Sequence, residues 1–191
     1  MNLLRISLAR VYRPAPFSLI SLLILTVLVI SSATAAETAE VPFGDEMGAE
    51  VQNYNRLRPT IATGGSIDVD QVVTLKAKGF KTIIDLRTPE EGTAEEKTAV
   101  EAAGMRYVNL PVSKGRPSDE QVRALADILQ DSGQAPVLVH CASGNRVGTA
   151  WAIYRVRQGI PLEIALEEGR TTGMRPSREA QVRALFEEQA Q

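Results

Sequence analysis

Short apolar runs divided by longer stretches of helical spacing lay out this chain. Residues 60–63, 81–86, 106–110 and 136–140 are brief, rich in β-branched side chains and bounded by Gly, Pro or polar clusters, a pattern that predicts strands. Helical patterns fill the intervals. Asp68-Val69-Asp70-Gln71 opens a helix that ends at Gly79, and Thr88-Pro89-Glu90-Glu91 or Thr93-Ala94-Glu95-Glu96 opens another that runs to Gly104. Ser118 caps a third, ending at Asp131, with Gln121 completing a capping box. Beyond His140, Val147, Ala150, Trp151, Tyr154 and Val156 keep a helical period until Gly159, and 161–167 and 178–189 read as two further helices. This alternation implies an α/β fold, a single domain on a mostly parallel sheet of about four to five strands flanked by helices. Ligands of such sheets bind beyond the carboxyl ends of the strands.

The first 35 residues break the pattern. Arg5, Arg10 and Arg13 precede a nearly all-apolar run over 17–30, and Ala33-Thr34-Ala35 offers small residues for cleavage, which together mark a secretory signal peptide over 1–35. The run is shorter than the ~20 residues of a spanning helix. Export to the periplasm is therefore expected, with membrane anchoring only if the leader stays uncleaved. Residues 36–52 are rich in Glu, Ala and Gly without periodicity and read as a flexible lead-in. That leaves 53–191 for the domain, enough to bury a core.

Removing the leader leaves 18 basic residues against 23 acidic ones, a formal charge of −5. A mildly acidic body with no basic run argues against nucleic acid as a partner. One Cys and one His give neither an intramolecular disulfide nor a Cys/His zinc site, and no metal or cofactor is expected. No heptad pattern speaks to oligomeric state.

The single cysteine stands where the fold would hold its ligand. In His140-Cys141-Ala142-Ser143-Gly144-Asn145-Arg146 it follows an apolar strand and precedes a helix, with an arginine five positions on. A thiol attacks as thiolate, and helix N-termini and nearby cations can bring an ordinary cysteine pKa of ~8.5 down to ~3.5–7.5. Loop and first-turn amides converge into an anion nest, and a planar guanidinium matches two oxygens of a phosphate. Attack through a covalent cysteinyl intermediate is the chemistry this arrangement suits.

These residues resemble the cysteine-based protein tyrosine and dual-specificity phosphatase superfamily, most closely its bacterial beta-lactamase-hydrolase-like branch, which is also labelled sulfur transferase. The resemblance extends from about Asn53 to the C-terminus. It takes in Ile61-Ala62-Thr63-Gly64-Gly65, Gly79-Phe80-Lys81-Thr82-Ile83-Ile84-Asp85-Leu86-Arg87 and Asn109-Leu110-Pro111-Val112. It implies that Cys141 is the nucleophile, that Arg146 binds the oxyanion, and that the main chain of Ala142, Ser143, Gly144, Asn145 and Arg146 cradles it. The implied substrate is a phosphorylated small molecule or protein, hydrolysed as a phosphate monoester through phosphocysteine. Two departures are visible: four residues separate Cys from Arg where tyrosine phosphatases have five, and Val147 replaces the usual Ser or Thr after the Arg. A four-residue loop is the rhodanese-like arrangement around a persulfide, which keeps a sulfurtransferase carrying a persulfide on Cys141 as the alternative. An oxyanion-binding module without turnover is the second.

Ester cleavage also calls for a proton donor. Asp119 follows the Gly/Pro-punctuated segment 112–118, which could close over the site, but an acid in a first helical turn also suits the helix dipole. Asp85 ends a strand at the sheet edge where the site should lie, and could equally cap the next turn. Arg87 either joins Arg146 on the substrate or pairs with Glu90 or Glu91. His140 either hydrogen-bonds beside the sulfur or ends its strand, and Ser143 and Thr149 are either partners of the sulfur or of a leaving group, or plain loop and helix-surface residues.

Overall fold

The strand that leads to the cysteine, β5 (Val137–His140), occupies the middle of the sheet. β2 (Ile61–Gly64) and β3 (Thr82–Asp85) flank it in parallel, β4 (Arg106–Asn109) extends the sheet beyond β3, and β1 (Asn55–Arg58) closes the other edge antiparallel to β2. The helices are α1 (Val72–Ala77), α2 (Thr93–Ala102), α3 (Asp119–Gln130), α4 (Asn145–Arg157), α5 (Leu162–Thr171) and α6 (Pro176–Gln189). The structure is a computed structural model and describes residues 39–47, 50–113 and 115–189. The leader read over 1–35 lies outside the described residues. The expected α/β architecture with a mostly parallel sheet is what the chain adopts.

Strand alternation sorts the core into two faces. On β5, Leu138 packs with Ile83, Phe80, Leu75 and Val100 on the side of α1 and α2. Val137, Val139 and Cys141 point the other way, among Ile84, Leu86, Leu125, Val147 and Ala150. His140 and Cys141 therefore serve opposite faces of one strand end. In register His140 stands level with Gly64 on one side and Asp85 on the other, so three strands finish together beneath the loop.

Two sequence readings are corrected. β1 was not predicted, because Asn55-Arg56-Leu57-Arg58 has the polar composition of an edge strand rather than of a buried one. Segment 36–52 is not wholly a flexible lead-in. Val41, Met47 and Val51 are buried in the core beside Ala62 and Leu75, Val51 bridges Ile67, and the Val41 amide donates to the Pro59 carbonyl. Three apolar anchors on irregular backbone have no period, which is why the pattern missed them. The packed domain reaches back at least to Val41.

Candidate active site

Cys141 leaves β5 with its amide on the Gly64 carbonyl (3.4 Å), and the chain turns through Ala142, Ser143 and Gly144 into α4. Gly144 is the N-cap residue, in the left-handed region at φ 84°, and a Cβ there would stand 2.2 Å from the Thr172 carbonyl oxygen. No other residue type fits both constraints. Ser143 bridges Gly65, and the Asn53 side chain donates to the Ser143 carbonyl (3.4 Å). The amides of Ala142 and Gly144 lie in the turn that opens into α4. With the unpaired first-turn amides of α4 they form the anion nest expected of a helix N-terminus. Gly144→Ala is expected to destabilise the fold by about 2–5 kcal/mol, from strained backbone plus the clash with Thr172. A urea unfolding midpoint within error of the parent would show that the turn tolerates a side chain.

The Arg146 guanidinium is clamped. It makes a forked pair with Glu91, Nη1 to Oε2 and Nη2 to Oε1 at 2.6 Å each, and Nη1 also donates to the carbonyls of Val112 (3.2 Å) and Leu86 (3.4 Å). The Glu91 bond, and then the Cys141 sulfur beside it, raise the Arg146 pKa against the effect of burial. Reciprocally, Arg146 brings Glu91 down to about 2, so the pair is intact throughout the neutral range and weakens only near that acid limit. Glu91 is thus a partner of Arg146 rather than of Arg87. The sequence offers it as a helix-start acid and as a partner of Arg87 but not of Arg146, because a pair 55 residues apart leaves no local pattern.

Beneath the loop, on the α2 side, lies a buried charge cluster. His140 Nδ1 is 3.2 Å from the Gly65 carbonyl. His140 Nε2 is 2.7 Å from Glu96 Oε1 and 3.6 Å from Asp85 Oδ1, close enough for ion pairing but off the line of a hydrogen bond, so Nε2 and Oε1 lack a directional partner. Arg87 spans both acids, with Nε 3.0 Å from Asp85 Oδ1 and Nη2 2.7 Å from Asp85 Oδ2 and 2.6 Å from Glu96 Oε2. The Tyr107 hydroxyl donates to Asp85 Oδ2 (2.7 Å). Asp85, Glu96 and His140 present ligand atoms within 4.8 Å of one another, yet the cation these carboxylates hold is Arg87. Burial pushes the Asp85 pKa up, but Arg87, the charge of His140 and Tyr107 outweigh it and hold the carboxyl below its usual range.

The sequence candidates therefore separate. Cys141, Arg146 and the 142–145 main chain come together. Asp85 and His140 lie directly under them but are occupied: Asp85 accepts the Arg87 amide (2.8 Å) as a turn cap and carries Arg87 and Tyr107. Arg87 faces Asp85 and Glu96, neither the substrate side nor Glu90 and Glu91. Thr149 bonds the Asn145 carbonyl (2.8 Å), as a helical threonine does. Asp119 is exposed and pairs with Arg157, the last residue of α4, eleven residues past Arg146 and so roughly 16 Å along the axis. The fold carries it away from Cys141. Among the described residues, every aspartate or glutamate whose pKa is shifted is shifted downward. A cleft of about 200 Å³ opens between α3 and α4, lined by Val122, Arg123, Ala126, Tyr154 and Arg157, and touches neither Cys141 nor Arg146.

A parallel-sheet domain that presents a cysteine and an arginine from one strand-to-helix loop has the build of the cysteine-based phosphatases. The chain belongs to the family described as DSP-PTPase phosphatase fused to NAD+ kinase, whose model matches residues 34–185. It is 30% identical over 124 residues to a beta-lactamase hydrolase-like protein of Agrobacterium fabrum, a match that covers 62% of this chain and 28% of that relative. The chain thus spans little more than a quarter of that relative's length. Among solved structures, a DUF442-family chain of Shewanella putrefaciens is 25% identical, with a TM-score of 0.61 over 75% of this chain and 97% of its own. Pseudomonas aeruginosa TpbA shares the fold at 24% identity and a TM-score of 0.59, over 79% of this chain and 92% of its own.

Proposed function

We propose that this chain is an exported phosphatase that hydrolyses phosphate monoesters through phosphocysteine on Cys141. One observation carries the reading: Cys141 stands at the N-terminal entry to α4 with a clamped Arg146 beside its sulfur. In the first step Sγ, as thiolate, attacks phosphorus and the P–O ester bond breaks, with the leaving oxygen departing as its anion or taking a proton from solvent. Loop amides and Arg146 hold the charge that develops on the phosphoryl oxygens. In the second step water attacks phosphorus, the P–S bond breaks, and phosphate leaves with the thiolate restored. Arg87 and Arg146 hold the nearby Asp85 and Glu91 carboxyls below their usual range, so substrates with acidic leaving groups should react fastest. The signal-peptide pattern over 1–35 supports export, and the substrate remains a phosphorylated small molecule or protein.

The four-residue loop favours a second reading, persulfide transfer from Cys141. Acid-quenched mass spectrometry decides between them. After incubation with p-nitrophenyl phosphate, the wild type should show a phosphoryl adduct on Cys141 that Cys141→Ser lacks. A single added sulfur from thiosulfate, with no phosphoryl adduct, would overturn the phosphatase reading, and no adduct from either reagent would leave an oxyanion-binding module.

A further inference from the structure

α6 brings a second arginine to the loop. The segment that leads into it is packed on 143–145: a Cβ at Gly173 would stand 3.1 Å from the Ser143 carbonyl oxygen, and the Arg175 amide donates to Asn145 Oδ1 (2.9 Å). From the first turn of α6, half-buried Arg178 reaches the Gly115 carbonyl, three residues along from the Val112 carbonyl that receives Arg146. The two guanidinium groups thus hang on one short stretch of chain, but their surroundings differ. Arg146 has Glu91. Among the described residues no carboxylate lies within ion-pair distance of Arg178, and a single carbonyl engages a group with five N–H donors. Burial and then the charge of Arg146 lower the Arg178 pKa, against the pull of Cys141. A partly desolvated cation facing a like charge is unfavourable until an anion joins it. The loop amides and Arg146 already account for one phosphoryl group.

We propose that Arg178 forms an anion subsite beside the Cys141 loop and selects substrates whose leaving portion carries a second phosphate, as in a bisphosphate or a diphosphate. This inference rests on the reading of Cys141 to Arg146 as the phosphoryl site. It also fits the pairing of Asp85 and Glu91 with arginines, since the phosphate released from a diphosphate departs as a stable anion without a proton donor.

The test is calorimetric titration of Cys141→Ser with orthophosphate and with pyrophosphate. Pyrophosphate is expected to bind about tenfold tighter or more, the worth of one added charge-assisted contact. Adding Arg178→Gln should bring the two affinities within about twofold, Arg178→Lys should keep part of the gap, and Arg123→Gln, in the separate cleft, should keep all of it. Thermal melts establish that each variant is folded. Equal affinities in the parent, failure of both anions to bind, or equal weakening of both by Arg178→Gln would overturn the subsite. The last result would assign Arg178 to the single phosphoryl group. Turnover of p-nitrophenyl phosphate by the wild type is measured separately. Its absence would remove the phosphatase reading while the titrations still decide on Arg178.

Discussion

Arg146→Lys is expected to lower kcat/KM for p-nitrophenyl phosphate by about 10²–10³-fold, the usual cost of losing a preorganised donor at developing charge. The substitution keeps a positive charge, so the loss isolates geometry. Arg146 sets both terminal nitrogens on Glu91, and Nη1 also holds the Leu86 and Val112 carbonyls, which fixes the plane of the group beside Cys141. An ammonium group on a flexible stem cannot meet those acceptors and a phosphoryl oxygen together. Glu91→Gln should act in the same direction but more weakly, about tenfold and mainly in kcat, because the fork loses its charged partner while the carbonyl contacts remain. Steady-state kinetics beside melting curves of both variants supply the measurement. A drop below threefold for Arg146→Lys would mean that the fork has no part in catalysis.

Glu96→Ala is expected to destabilise the domain by about 3–5 kcal/mol, the cost of stranding buried charge. Glu96 is 1% exposed, and its removal leaves Arg87 and His140 to share Asp85 alone. Glu96→Gln keeps the volume and an acceptor oxygen for Arg87, so its loss should be smaller. Urea unfolding midpoints of the three proteins test the order. If Glu96→Ala unfolds within about 1 kcal/mol of the parent, the cluster does not hold β3, β5 and α2 together in the way its geometry implies. The same variants should slow turnover, because His140 reaches the loop through the Gly65 carbonyl, and Gly65 pairs with Ser143.

The parallel strands, the loop and its two chemical residues were legible because each is a local pattern: β-branched runs, a Gly-containing turn, helix caps. Partners were not. Glu91, Glu96, Tyr107 and Arg178 reach the site from elements separated from Cys141 by dozens of residues, and nothing in their own neighbourhoods distinguishes them from surface charges or a strand aromatic. Asp85 shows the limit from the other side. Its position at the strand end was read correctly, but alternation along the sheet gives it to the α2 face while Cys141 goes to the opposite one. Arg87 and Tyr107 then claim its oxygens. Asp119 was misplaced for a simpler reason: a helix cap can be read from sequence, but the direction in which that helix leaves the site cannot.

The solitary thiol has a consequence for motion. Cys141 is 1% exposed, packed among Ile84, Leu86, Leu125, Val147 and Ala150 beneath its loop, and the loop in turn is docked against Thr172, Gly173 and Arg175. If the loop opens by leaving that 172–175 segment, a bulky alkylating reagent is expected to reach the sulfur only when those two pieces of chain part. At low reagent the modification rate follows the population of parted molecules, and at saturating reagent it levels off at the frequency with which they part. The unmodified chain therefore carries its own clock for the breathing of its cysteine loop, readable by stopped-flow without an engineered probe.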